Sequence, residues 1–319
     1  MDNESTVEYS LVVPVFDEEE TLPELLRRLS ALLDRMDGDC EVILVDDGSS
    51  DRSFELMEGA READPRFKLL RLSRNFGHQI AVTAGLDAAL GNAVIVMDAD
   101  LQDPPEVAID LAARWREGFD VVYAVREERR GDSPFKRATA KLFYRTFRRM
   151  TDVDVPLDVG DFRLVDRRAL DAFRSMRETN RYVRGMFSWI GFRQVGVPFR
   201  REERFAGETK YPLGKMIKFA TDGIVSFSAA PLRLALKIGF LVAGLSFLMG
   251  AVFLVSKIAG LYSVPGLASI AVFVAFLGGI QLFLLGIVGE YIARIHDEVK
   301  GRPLYLVRDA QGLGAPRVR

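Results

Sequence analysis

Two long runs without a charged residue set the first constraint on this chain. Ile238 to Ser256 (IGFLVAGLSFLMGAVFLVS) is 19 residues held between Lys237 and Lys257, and Val264 to Gly289 is a second run in which Gln281 is the most polar residue. About 20 apolar residues in a helix cross the hydrocarbon core of a bilayer. Helices of a soluble core rarely run so far without a polar face, so the sequence predicts two transmembrane helices rather than two buried ones. The connection Ala259 to Ser263 is short and carries no basic residue, whereas Lys218, Arg233 and Lys237 precede the hairpin and Arg294, Lys300, Arg302 and Arg308 follow it. Basic flanks stay on the cytoplasmic side. The expectation is a multi-pass protein of the inner, cytoplasmic membrane with both termini in the cytoplasm. Met1 to Ser10 is acidic and polar and shows no secretory signal pattern.

The 319 residues leave roughly 200 ahead of the hairpin, enough for a domain with its own core. A net charge of -2 excludes a generally basic nucleic-acid binder. The average conceals a division: residues 1 to 120 hold 11 Lys and Arg against 27 Asp and Glu, and the remainder is correspondingly basic. The single cysteine, Cys40, leaves no internal disulfide, thiolate zinc site or iron-sulfur cluster, and His78 and His296 are too few for a histidine-rich metal centre. The expected division is a cytoplasmic domain over 1–210, an interfacial or juxtamembrane segment over 211–233, two spans over 234–292 and a cytoplasmic tail over 293–319. Pro134 to Met150 (PFKRATAKLFYRTFRRM) interleaves apolar and basic residues, a pattern that suits an anionic lipid surface or a helix packed on the domain. Tyr211 to Leu232 reads as a second interfacial helix or a linker.

Tyr9 to Phe16, Cys40 to Val45, Phe67 to Leu72, Ala93 to Met97 and Asp120 to Val125 read as strands, with segments of helix length between them. The first such segment opens on a capping-box pattern, Thr21 with Glu24. Near-continuous Val, Ile and Leu runs alternating with helices predict an α/β domain with an open, mostly parallel sheet covered on both faces. In such folds the ligand lies beyond the carboxyl ends of the strands.

The unusual polar residues fall at those ends. Pro14-Val15-Phe16-Asp17-Glu18 closes the first strand, Asp46-Asp47-Gly48-Ser49 the second, Ser73-Arg74-Asn75-Phe76-Gly77 the third and Asp98-Ala99-Asp100-Leu101-Gln102-Asp103 the fourth. Neither a GxGxxG turn nor a GxxxxGK[ST] loop is present, so phosphates must be held in another way. Asp98 and Asp100, one residue apart at a strand end, can turn both carboxylates to one point. Oxygen donors suit Mg²⁺ or Mn²⁺, and an ion with few protein ligands keeps positions for a diphosphate. Asp46 and Asp47 form a second acidic pair. Asp51 and Asp103 read as helix N-caps, although Asp103 can also line the site. His78 reads as a helix-start residue whose loop can approach the site, and Trp189, Phe187 and Phe192 as core.

The ordered set PVFDEE, VDDGSSD, SRNFGHQ, DADLQDPPE, VGDFRL and RFAGETKY, followed by two spans, resembles the family 2 glycosyltransferases that charge polyprenyl phosphate, the bactoprenol glucosyltransferase and dolichyl-phosphate mannose synthase group. The resemblance runs from Ser10 to Arg308. It implies a GT-A fold, a nucleotide-sugar donor, a polyprenyl phosphate acceptor and an oligomer built around the spans. It also implies that Pro14, Val15, Glu18 and Asp46 line the nucleoside pocket, with Asp98 and Asp100 on metal and diphosphate and Gln102 beside them. Asp47, Arg74 and Asn75 at neighbouring strand ends, and Lys210 in the RFAGETKY segment, join the candidate substrate contacts. Arg126, Arg137 and Arg204 resemble basic positions near diphosphate and lipid phosphate. Asp161, in VGDFRL, resembles the acidic position that orients or activates the acceptor. Asp17 stands where the family usually has Asn.

The expected activity is metal-dependent, inverting transfer of a hexose, with UDP-glucose the expected donor, to undecaprenyl phosphate at the cytoplasmic face. A processive polysaccharide synthase would, by the same resemblance, carry Gln-x-x-Arg-Trp; Arg114-Trp115 is present, but Leu111 stands where Gln is needed. A non-enzymatic anchor or a flippase subunit would have no reason to gather Asp46, Asp47, Asp98 and Asp100 at strand ends.

Overall fold

The computed structural model describes residues 7–127, 159–201, 228–259 and 267–313. In chain order the strands are β1 (Tyr9–Val15), β2 (Cys40–Asp46), β3 (Phe67–Leu72), β4 (Ala93–Val96), β5 (Val121–Arg126), β6 (Val159–Asp166), β7 (Gln194–Phe199) and β8 (Val307–Gln311). The helices are α1 (Leu22–Leu33), α2 (Ser53–Ala63), α3 (His78–Ala88), α4 (Val107–Arg116), α5 (Arg167–Ser175), α6 (Val183–Trp189), α7 (Ala230–Ile258) and α8 (Leu267–Val299). The five expected strands form within a residue of their predicted ends.

All eight strands join one sheet in the order β7-β5-β6-β4-β1-β2-β3-β8. β1 to β4 are parallel neighbours and β7 runs parallel to β5, while β6 runs antiparallel between β4 and β5 and β8 antiparallel to β3. The GT-A-type architecture is thus a mostly parallel sheet whose antiparallel β6 starts at the rim where β1 to β5 end. β4 stops opposite Val12, so Pro14 removes no ladder bond on that side of β1.

Alternation along the strands divides the core between the two faces. Leu11, Val13 and Val15 pack with Leu22, Leu25 and Leu29 of α1 and Leu111 of α4. On the other face Val12, Ile43 and Leu70 pack with Ala81, Val82 and Leu86 of α3 and Phe173 of α5. α3 lies close on β1 because residue 85 is glycine: a Cβ there would stand 2.3 Å from Val12 Cγ1 and 3.0 Å from Val45 Cγ2.

Two expected helix caps differ. Thr21 makes no side-chain cap bond; its hydroxyl donates to Glu18 Oε2 at 2.7 Å, and Glu24 pairs with Arg27. Asp103 caps nothing, since α4 begins four residues later behind Glu106. Asp51 does accept from Ser53 N at 2.9 Å, at the start of α2.

α7 and α8 are the two long apolar helices, and their most apolar stretches are not buried against the rest of the chain. That exposure excludes the reading of two soluble core helices among the described residues. Beyond α8 the tail returns to the domain and adds β8 to the sheet. Its sequence, VRDAQ, has no hydrophobic signature, because β8 is an exposed edge strand held mainly by its ladder bonds to β3. The amphipathic segment 134–150 and most of 211–232 lie outside the described residues.

Candidate active site

The ends of β1, β2, β3 and β4 and the start of β6 meet at one rim, and most of the candidate residues collect there. Among the described residues the only non-glycine positions with positive φ are Asp17 at 53° and Leu101 at 57°, in the turns that leave β1 and β4. Such backbone is sparsely populated and concentrates at functional sites. Asp17 tolerates it through its short polar side chain, whose Oδ1 accepts from Ser50 N at 2.8 Å.

The centre of the crevice is a cluster that the sequence showed only in pieces. His78 Nε2 lies 3.1 Å from Asp161 Oδ2 and 3.5 Å from Asp98 Oδ1. One ligand atom from each of His78, Asp98 and Asp161 falls within 4.8 Å of the others, close enough to hold a metal ion. Asp98 Oδ1 is buried and has no hydrogen-bond partner, an acceptor left open toward that point. Asp100 closes the following turn, its Oδ1 accepting from Gln102 N at 3.1 Å. His78 is thus more than the first residue of α3. It was missed because a lone histidine after Gly77 carries no signal until β6 brings Asp161 across.

Arg184 was also missed. From the first turn of α6 its Nε donates to Asp161 Oδ1 at 2.8 Å and its Nη2 to Asp161 Oδ2 at 3.2 Å. Gln79 joins the same elements, its Oε1 accepting from Val183 N at 2.9 Å and its Nε2 3.4 Å from Asp161 Oδ2. Burial alone would raise the Asp161 pKa, but Arg184 and His78 hold it well below the usual carboxylate range. His78 is pushed up to about 9: partial burial disfavours its charge, and the Asp161 bond with the Asp98 and Asp161 carboxylates overcomes this. Asp98 is raised to about 6 by burial, which outweighs the attraction of His78 and is reinforced by Asp161, Asp103 and Asp100.

Asp103 lines the site. It is buried, with Oδ2 3.7 Å from Arg126 Nη2 and Oδ1 3.4 Å from Arg201 Nε. Burial raises its pKa against the pull of both arginines. Two guanidinium groups therefore converge beside the acidic cluster, next to Gly160, where a Cβ would stand 2.8 Å from Arg126 Nη2. Arg201, two residues past β7, was not singled out in the sequence, because it is one of several arginines in FRREERF.

The other described candidates lie at or just behind the same strand ends. Asp46 is fully buried; Oδ1 accepts from Ser49 N at 2.9 Å and Oδ2 stands 3.0 Å from Arg71 Nε without an aligned hydrogen bond. Asp47 accepts from Phe76 N at 2.7 Å and Gly77 N at 2.9 Å and so fixes the loop that delivers His78. Pro14 and Val15 are buried behind the exposed ring of Phe16. Glu18 N donates to Ser53 Oγ at 2.9 Å. Arg74 lies over the Phe76 ring at 4.0 Å, with Asn75 exposed beside it, and Gln102 is half-buried. Arg137, Arg204 and Lys210 fall outside the described residues.

Trp189 corrects an expectation: it is 64% exposed, while Phe187 is buried and stacked on Phe173. Helix α6 is one-sided, and Trp189 falls at its solvent end. Leu111 is fully buried and Trp115 Nε1 donates to Asp166 Oδ2 at 2.9 Å, so Arg114-Trp115 belongs to the support of the domain and not to the crevice.

Residues 10–174 match the model of glycosyl transferase family 2, and residues 230–295 match that of the GtrB C-terminal hairpin. The chain is 48% identical over 312 residues to an uncharacterized glycosyltransferase, YkcC, of Bacillus subtilis (strain 168), covering 98% of this chain and 97% of that one. It is 40% identical over 299 residues to the SfII prophage-derived bactoprenol glucosyl transferase of Shigella flexneri, covering 94% and 97%. The prophage bactoprenol glucosyl transferase homolog of Escherichia coli (strain K12) is 39% identical over 299 residues, covering 94% and 98%.

Proposed function

The chain belongs to glycosyltransferase family 2, and on that premise we propose that it transfers one glucose from UDP-glucose to undecaprenyl phosphate at the cytoplasmic face of the membrane, with inversion and with Mg²⁺ or Mn²⁺. The observation that carries this reading is the union, in one chain, of the family 2 domain with the GtrB-type hairpin, in relatives named bactoprenol glucosyl transferase that align over 94% of its length. The hairpin supplies what a lipid acceptor requires, a catalytic domain held at the bilayer. The pairing of β8 with β3 supports a reading in which the residues after the second span share a side with the domain that precedes the first. The basic flanks of the hairpin make that side the cytoplasm.

The donor set fits a hard or borderline cation. The carboxylates of Asp98 and Asp161 and the imidazole of His78, which lie within reach of one point, suit Mn²⁺ or Mg²⁺, with Asp100 at the next turn as a further carboxylate, and the open acceptor on Asp98 would receive the ion. A bound ion supplies Lewis-acid neutralisation of the charge that develops on the diphosphate leaving group. Arg126 and Arg201, which converge on Asp103, add fixed positive charge beside the acidic cluster. A phosphate monoester acceptor, with its second pKa at about 6, is mostly ionised near neutral pH and needs holding more than deprotonation. Arg184 and His78 supply positive charge for that, and Asp161, with both oxygens engaged by them, orients these two groups around the acceptor. Asp46, with Pro14 and Val15 behind Phe16, forms the nucleoside wall.

The test is transfer of label into organic-extractable lipid by the purified protein. Excess chelator is expected to stop turnover and Mn²⁺ to restore it, and Asp100→Asn to abolish transfer with membrane insertion intact. Full activity in chelator, or in Asp100→Asn, would sink the metal assignment.

A further inference from the structure

The tail behind the second span is pinned to the catalytic domain at successive points between Glu298 and Gln311. α8 ends as Gly301 takes a φ of +58°, with Gly301 N donating to Glu298 O at 3.1 Å. In that last turn Glu298 accepts from Thr179 N at 2.7 Å and from Thr179 Oγ1 at 3.3 Å. Tyr305 OH then donates to Asp87 Oδ2 at 3.0 Å, a carboxylate that Arg177 Nη1 also holds at 2.9 Å. Leu306 O accepts from Ser73 N at 2.8 Å, and β8 follows β3 from Leu72 opposite Val307 to Leu69 opposite Gln311. Gln311 Nε2 ends the course on Glu58 Oε1 at 3.1 Å.

Anchoring alone asks for none of this. Ordering each residue of a linker costs backbone entropy, and a loose tail would tether the domain equally well. The six residues 301–306 reach at most about 20 Å, so the end of α8 and the edge of β3 are held at a set separation. The same segment grips Ser73, the first residue of the loop that Asp47 fixes and that leads to His78.

We propose that residues 301–311 are a positioning strap, which sets the distance between the second span and the catalytic crevice so that a phosphate borne on a membrane-embedded lipid meets His78, Asp98 and Asp161 at a fixed reach. The proposal rests on the lipid-phosphate acceptor inferred above. Its distinguishing consequence is that strap length matters for an acceptor held in a bilayer and not for a phosphate that arrives from water.

The full chain in liposomes of phosphatidylcholine and phosphatidylglycerol is given UDP-glucose with either embedded undecaprenyl phosphate or a short, water-soluble prenyl phosphate. Gly-Ser-Gly-Ser inserted between Arg302 and Pro303 lengthens the strap while β8 remains. Misplacement by even a small distance is costly for a positioned reaction, so transfer to the embedded lipid is expected to fall on the order of tenfold or more, with transfer to the soluble acceptor within about twofold of the parent. UDP binding is expected to be unchanged. Tyr305→Phe, which removes one anchor and adds no length, is expected to give a smaller loss with the same selectivity. Unchanged transfer to the embedded lipid overturns the proposal. An equal loss on both acceptors overturns it too, since the strap then only supports the fold. A parent chain that transfers to neither acceptor refutes the acceptor reading itself, and the proposal with it.

Discussion

Arg184 holds Asp161 through two nitrogens, Nε at 2.8 Å from Oδ1 and Nη2 at 3.2 Å from Oδ2, across the gap between α6 and β6. The Asp161 side chain is only 3% exposed, so its charge depends on the partners supplied by the protein. Removing one member of a buried pair leaves the other uncompensated. Arg184→Gln is therefore expected to cost about 3 kcal/mol of stability and to lower transfer on the order of tenfold or more. The double variant Arg184→Gln with Asp161→Asn should recover most of the stability and none of the activity. Thermal unfolding in detergent and transfer assays of the two variants check this; an Arg184→Gln variant as stable and active as the parent would show that the pair positions nothing.

Gly85 sets two effects against each other. Alanine in a helix interior is ordinarily favoured over glycine by roughly 0.5–1 kcal/mol. Here the added methyl would stand 2.3 Å from Val12 Cγ1, and overpacking a tight core costs typically about 1–3 kcal/mol. Gly85→Ala is expected to destabilise the catalytic domain, read as a lowered unfolding temperature. A raised one would mean that α3 shifts away from β1 freely.

Much of this was legible before the fold was known, and the boundary has a physical origin. The parallel strands announced themselves because strands buried on both faces are continuous apolar runs, and the hairpin did so because lipid tolerates no charge. Asp46 and Asp98 were legible because each follows such a run, and Asp161 only through the resemblance carried by VGDFRL. His78, Arg184 and Arg201 were not, since their meaning comes from β6 and α6 folding back across the rim, and no local pattern records that contact. β8 escaped for a related reason: an exposed strand of polar residues is specified by its partner β3, and the sequence of the tail alone reads as a tail. Asp103 was legible in two ways, as a cap before Pro104-Pro105 and as a residue of the site, and the late start of α4 behind Glu106 removes the first.

Cys40, at the start of β2, offers a clean probe because it is the sole cysteine. Burial pushes its thiol up to about 11. An acid whose folded pKa is raised is favoured neutral in the native state, so its contribution to stability is present below the ordinary thiol pKa and is lost as pH rises toward 11. At pH 8 the native protein should react with iodoacetamide on the order of a hundredfold more slowly than a free thiol, accelerating as pH climbs from 9 to 11. Fast labelling at pH 8 would contradict the burial of this strand end.

The central claim is that this crevice moves a sugar from a nucleotide onto a lipid phosphate. Purified full-length protein, undecaprenyl phosphate, Mn²⁺ and a panel of labelled nucleotide sugars test it in one measurement, the appearance of label in the organic phase. The account predicts label from UDP-glucose, dependent on the ion and lost in Asp100→Asn. No lipid-linked label from any donor, with the protein folded and donor binding demonstrated, would contradict it.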